Sequence, residues 1–203
     1  MPRCKNCREK FEQKRFLQKY CDKKECQIES KTQLALKNLE GIKKQKFTEM
    51  KISAHVKKHK NELQDEINKL SRMIDLKFYS TCIDCGRVLK DDIHGSHFNN
   101  VSGNENIRYN LHNIHASLGA CNKWQGGNKK GYIIGLEERY GKEYADYVEF
   151  ELRLKYKSMH FTEKEIYEAI PVVRKLIRDF ETFIFNDPIQ ARNQMNQIIN
   201  LYK

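Results

Sequence analysis

The sequence predicts an α+β protein that is mostly helical. Three observations carry this expectation. Cysteines recur with metal-ligand spacing in two modules, at residues 4–26 and from residue 82 onward. The stretch 27–80 contains no proline and one glycine, Gly41, and reads as a long Lys-rich helix. Residues 132–185 carry apolar positions at helical spacing, while short apolar runs bounded by turn residues appear only in the centre. Four segments follow: a four-cysteine zinc finger at 1–30, a basic helical segment at 31–78, a central strand–strand–helix core at 79–131 and a helical C-terminal region at 132–203.

Composition sets the limits. Apolar residues make up 39% of the 203 and charged residues 32%, so only modest cores are expected, helped by local staples. No apolar run approaches the ~20 residues that a membrane span needs, and MPRCKNC has no signal-peptide core. A soluble, cytoplasmic protein with no membrane partner is expected. The net charge of +11 is unevenly spread: residues 1–80 hold 21 Lys+Arg against 11 Asp+Glu, and residues 81–203 hold 17 against 16. Concentrated positive charge attracts polyanions, so nucleic acid is the partner class to expect.

The odd count of seven cysteines argues against a disulfide framework. In the first module Cys4, Cys7, Cys21 and Cys26 are spaced C-x2-C-x13-C-x4-C, which brings four thiolates to one structural zinc with no open position. Phe11, Phe16 and Tyr20 are expected to cover the site. In the helix that follows, Leu63, Ile67, Leu70 and Ile74 form a short a/d seam, suited to packing on the next domain or on a dimer partner. His55 and His59, one turn apart among lysines, read as a basic solvated face.

In the centre, CIDCG is a second knuckle, with Gly86 placed for the tight turn. Residues 87–89 and 93–98 read as two strands joined at 90–92. After a polar loop at 99–110, LHNIHASLGACNKW begins extended and turns helical near Cys121, and GGN at 126–128 ends it. His94, His97, His112 and His115 precede Cys121 and Asn122. Hairpin, loop and helix, with cysteines at each end, is the layout of a ββα-metal (HNH-like) core, which needs a histidine general base and a hydrated divalent ion. Imidazole, with a pKa of about 6.5, accepts a proton near neutrality. A hard ion such as Mg²⁺ keeps its waters and needs few protein ligands. His94 and His97 face opposite ways on a regular strand, so serving one site requires a bulge, which Gly95 permits. Tyr109 and Trp124 could stack on bases, but core packing is the safer expectation. Further on, Thr162 and Glu165 form a capping box. Pro171 should kink or break that helix, and a last helix is expected after residue 186.

CIDCG, HGSHF, IRYNLHNIH, ACNKWQGGN and GLEERYG, in this order behind a four-cysteine module and a basic helix, resemble the lambdoid-phage NinG (Rap) recombination proteins. The resemblance implies a structure-specific, metal-dependent endonuclease that cuts branched DNA, including Holliday junctions, during phage recombination in the bacterial host cell. A weaker resemblance to zinc-clamped phage junction-resolving nucleases implies His97 as general base, with His94 and Asn122 as ligands of Mg²⁺ or Mn²⁺. It also implies a second zinc on Cys82, Cys85 and Cys121. This chain departs from that pattern at Leu118, where the family clamp has a cysteine. The fourth ligand is then missing, or comes from His115 or a less usual donor. Symmetric cutting of a four-way junction needs two sites, so a homodimer is expected, with the Leu63 seam as a possible interface. The rival expectations are a degenerate protein that binds branched DNA without cutting it, and an adaptor for phage recombination proteins.

Overall fold

The structure, a computed structural model, describes residues 1–124 and 128–202. Most of the expected GGN terminator, and the side chain of Trp124, lie outside the described residues. The chain divides into two compact units, Met1–His55 and Val56–Lys203, and helix α1 (Lys24–Phe78) contributes to both. The boundary falls inside the helix because its later residues are core residues of the second unit.

The first unit opens with a knuckle around Cys4 and Cys7, in which Arg8 N donates to Cys4 O at 3.0 Å. It ends in the opening turns of α1, where Leu34, Leu39, Ile42, Phe47 and Met50 are all exposed.

In the second unit, the Leu63, Ile67, Leu70 and Ile74 seam is fully buried. It packs against Tyr109, Leu111 and Ile114 and against helices α6 (Glu163–Arg178) and α7 (Pro188–Ile199). The seam is thus spent within the chain and is no dimer interface. The resulting cluster of eighteen buried residues is also larger than the composition suggested. The charged residues that lowered the apolar fraction lie mostly elsewhere.

The sheet has two strands, β1 (Ile93–His97) and β2 (Ile114–Leu118), paired antiparallel from Ile93↔Leu118 to His97↔Ile114. The partner of β1 is therefore not residues 87–89. Those close the second knuckle, through Cys82 N to Arg87 O at 2.7 Å and the Thr81↔Val88 bridge. Helix α2 (Gly119–Trp124) follows β2 directly, as its sequence suggested. Asn128 caps α3 (Lys129–Tyr140) by accepting from Gly131 N. Helices α4 (Lys142–Asp146) and α5 (Leu152–Lys155) are joined through a π-helical turn, Tyr147–Glu151.

The capping box of Thr162 and Glu165 starts α6 as predicted. The helix does not end at Pro171. Ile166, Ala169, Ile170, Val173 and Leu176 bury one face of it, whereas Pro171 and Tyr167, whose carbonyl loses its donor, are exposed. Asp187 caps α7, with Pro188 at its first position. From α7, Arg192 reaches the centre of the unit with no exposed surface. Its guanidinium pairs with Asp75 and donates to the carbonyls of Leu111 at 2.8 Å and Ile114 at 3.1 Å, at the entrance to β2.

Candidate functional site

The four sulfurs of Cys4, Cys7, Cys21 and Cys26 lie within 4.8 Å of one another. Cys26 comes from the first turn of α1; the other three come from the knuckle and the loop after it. Cys21 N donates to Cys4 Sγ at 3.3 Å, and Asn6 Nδ2 donates to Cys26 Sγ at 3.6 Å. Burial raises the Cys4 thiol, but the N–H groups of Cys21, Cys7 and Asn6 bring it down to about 6. At Cys21 the Lys23 N–H lowers the thiol, yet burial and the neighbouring sulfurs carry it up to about 12. Four crowded thiols cannot all ionise without a cation among them, and a tetrahedral zinc answers that need. This cluster could hold a metal such as zinc. Phe11 and Tyr20 pack on it as expected; Phe16 does not, being 94% exposed.

The second cluster brings Cys82, Cys85 and Cys121 within 4.8 Å. His115 is not among them. It lies on β2 with its ring fully buried in a nest of Tyr132, Tyr140 and Tyr144, and its Nδ1 is 3.0 Å from the Tyr132 hydroxyl. Burial first, then the charge of Arg192, holds its pKa well below the ordinary value. Alternation along the strand explains the miss: Ala116 packs with Cys82 and Cys121, so its neighbour His115 faces the other way. Leu118 packs beside the thiols as apolar cover. Arg87 approaches two of them, its Nε donating to Cys85 Sγ at 3.3 Å and its Nη2 to Cys121 Sγ at 3.8 Å. Leu118 N donates to Cys82 Sγ at 3.3 Å, and Ser117 Oγ lies 3.6 Å from the same sulfur. Burial raises Cys85, but the Arg87 contact outweighs it and lowers the thiol to about 7. Buried Asp84 lies behind, bonded by the Ser117 hydroxyl, with its Oδ1 unpartnered among the described residues.

The other expected site residues divide into two groups. His94, on β1, places Nδ1 3.4 Å from Asn122 Nδ2 on α2, and Asn122 Oδ1 accepts from Ser96 Oγ at 3.3 Å. Asp92, which the sequence reading passed over, holds His94 Nε2 at 2.7 Å. Its position two residues before His94 was the available signal. Asp92 sits in the left-handed region, φ 49°, and a Cβ on Gly119 would meet its Oδ2 at 2.0 Å. Glycine at 119 thus leaves room for the Asp92 carboxylate where β2 passes into α2.

His97 stands apart from this group. No bulge interrupts β1, so His94 and His97 project to opposite faces. Gly95 serves a different purpose from the one expected: a Cβ there would meet Asn68 Cβ at 2.9 Å, so it admits α1 close to the strand. His97 Nε2 lies 3.1 Å from the carbonyl oxygen of Arg108. A carbonyl only accepts, so Nε2 carries the proton and Nδ1 the lone pair. Burial, against the pull of that carbonyl, lowers the pKa to about 4 and keeps the ring neutral. His97 lines a cleft of about 290 Å³ with Asn99, Asn104, Lys129, Tyr132 and Arg153. The two cations come from α3 and α5, and nothing in the spacing along the sequence linked them to His97. His112, for which the sequence suggested no partner, lies buried between the Tyr144 hydroxyl at 2.9 Å and Asn193 Oδ1 at 3.0 Å. His59 is not solvated: its ring packs on Tyr167.

A basic chain with a four-thiol centre, a second thiol cluster and a strand–strand–helix core defines a mostly helical protein whose N-terminal cysteines could hold a metal. Among the described residues no helix is long and apolar enough to cross a membrane. The family model described as Bacteriophage Lambda NinG protein matches residues 1–182, and the chain belongs to this family. It is similar to protein ninG of Escherichia phage lambda, 31% identical over 68 residues, which cover 34% of this chain and 33% of that protein. Protein ninG of Escherichia phage 933W is 29% identical over 68 residues, 34% of each chain. The matched stretch thus spans about a third of the length of these curated relatives. No solved structure matches.

Proposed function

We propose that this chain is a metal-dependent endonuclease acting on branched DNA, Holliday junctions among them, during phage recombination in the host cell. The observation that carries the reading is His97: neutral, fixed in one tautomer by the Arg108 carbonyl, and lining a cleft with Lys129 and Arg153. Lys129 and Arg153 grip the scissile phosphodiester and neutralise charge that grows on it in the transition state. His97 Nδ1 takes a proton from water as the oxygen attacks phosphorus, and the bond from phosphorus to the 3′ oxygen breaks. A phosphate beside the ring raises its pKa toward neutrality, where a base works best. His94 and Asn122, with Asp92 steadying the imidazole, would hold Mg²⁺ or Mn²⁺, which would supply Lewis acidity to the leaving oxygen. Because β1 sets His94 on the face opposite His97, serving one phosphodiester requires β1 to rearrange on DNA. The four-cysteine finger and the basic start of α1 add phosphate contacts, and a homodimer would cut both strands of a junction.

The unbroken ladder between His94 and His97 favours a second reading, a protein that binds branched DNA without cutting it. Cleavage separates the two. End-labelled four-way junction is incubated with wild type, His97→Ala and His94→Ala, with Mg²⁺ or with EDTA. Nicks that require Mg²⁺ and vanish in His97→Ala support the nuclease. Binding without nicks across several divalent ions establishes the second reading. Sedimentation as a monomer, both free and on a junction, would rule out the dimer.

A further inference from the structure

The loop of residues 14–18 in the first unit has a conformation that the zinc module does not require. Phe16 at its tip is 94% exposed, more than any other large apolar side chain described, and Leu17 beside it is 68% exposed. The same module buries part of Phe11 and Tyr20 against its thiols, so cover for the metal was available to Phe16 and is not used. The loop is also held in place. Gln18 N donates to Arg15 O at 3.1 Å, Lys14 N donates to Gln18 Oε1 at 2.9 Å, and Gln13 Nε2 donates to Gln18 O at 2.9 Å. These bonds keep Leu17 in the left-handed region, φ 56°, which a branched side chain avoids unless constrained. The backbone that carries the aromatic ring is therefore held outward.

Its surroundings select the partner. Residues 1–23 hold eight Lys and Arg against three Asp and Glu. Lys14 is tied to Asp22 at 2.8 Å, while Arg15 and Lys19 are exposed on either side of Phe16. A cleft of about 650 Å³ lies beside the tip, lined by Arg15, Leu17, Lys19, Gln27 and Ser30 among others. An aromatic face between cations fits a polyanion that carries flat apolar rings, which is nucleic acid with unpaired bases. In a continuous duplex those faces are already stacked. At a branch point, bulge or single strand they are open.

We infer that Phe16 stacks on unpaired bases while Arg15 and Lys19 hold the adjoining phosphates, so that the four-cysteine module recognises interrupted DNA. This rests on the reading of the chain as a binder of branched DNA, and adds the residue that tells branch from duplex. The test uses the full zinc-loaded chain and two oligonucleotides carrying a fluorescent purine analogue, one with the analogue in an unpaired bulge and one fully paired. Phe16→Ala and Phe16→Leu should each weaken binding to the bulged DNA about tenfold and abolish quenching of the analogue, the loss that base–aromatic stacking carries. Paired-duplex affinity and bound zinc should stay unchanged. Phe16→Trp should keep both binding and quenching. Arg15→Ala should weaken both DNAs alike and flatten the salt dependence. If wild type binds neither DNA, the DNA-binding reading falls and this inference with it. If wild type binds both and the Phe16 variants lose nothing, or lose equally on both, the stacking tip alone is overturned. It is also overturned if the variants change the sedimentation of the free protein instead, since the tip would then join copies of the chain.

Discussion

The two cysteine knuckles share one backbone and differ in what completes them. In each, the residue after the second cysteine adopts a positive φ, 64° at Arg8 and 68° at Gly86. In each, it donates its N–H to the carbonyl of the first cysteine at 3.0 Å. A bridge closes both loops, Arg3↔Lys10 in one and Thr81↔Val88 in the other. The first knuckle then gathers two more thiols, and the unit has little else to fold around. The second gathers one thiol and an arginine, and stands on a unit with an apolar core of its own. The same local geometry is thus a foundation in one place and an accessory in the other.

Metal removal should separate them most. A structural zinc site contributes ~10–16 kcal/mol of apparent binding free energy, so a strong chelator should unfold the first unit and leave the second folded. Circular dichroism with proteolytic mapping reads this, and cleavage confined to the second unit would reverse the comparison. Cys21→Ser should release the first metal outright, measured by elemental analysis.

Acid should act on the second unit through its buried histidines. Burial lowers His97 and His112 to about 4 from the ordinary 6.5. The unfolded chain therefore binds their protons first as pH falls. Stability is fully present above about pH 6.5 and is lost between there and about pH 4, by about 3 kcal/mol for each ring. Denaturant midpoints across this window should fall in wild type and fall less in His112→Gln. A flat profile would show that neither ring is held neutral by the fold.

The two parts of α1 repeat the contrast within a single helix. Leu70→Ala removes a fully buried side chain and should cost about 3 kcal/mol in denaturant unfolding, whereas Leu39→Ala, at an exposed position, should stay within ~0.5 kcal/mol. The smallest effects compare the knuckles directly. Gly86→Ala introduces a side chain at positive φ and should destabilise by ~1 kcal/mol, while Arg8→Gly relieves that strain and should be neutral or stabilising. Equal penalties would mean that the two turns are not alike.

Features set by neighbours in sequence were the legible ones. The four-thiol set, the capping box at Thr162, the switch from strand to helix before Cys121 and the last helix all follow from spacing or local chemistry. What depended on distant partners was not legible. Residues 87–89 read as a strand, but the knuckle claims them, and β1 pairs instead across the loop with β2. The Leu63 seam carried no mark of whether its partner lay in the same chain. His115 had a plausible distance from Cys121 in sequence, yet strand alternation turned it into the tyrosine nest. Pro171 is tolerated because it and Tyr167, whose carbonyl loses its donor, lie on the exposed face of α6, a fact of tertiary packing. Lys129 and Arg153 meet His97 only once α3 and α5 have packed.

Arg192 couples α7 to α1 and to the start of β2 through buried charge. Its guanidinium supplies donors to Leu111 and Ile114 and the counter-charge to Asp75, all of them buried. Without α7, closing the second unit would leave Asp75 a buried charge with no counter-charge. The four thiols of the first unit all lie within residues 4–26. These thiols take nothing from the second unit, so they could hold a metal whether or not that unit has closed.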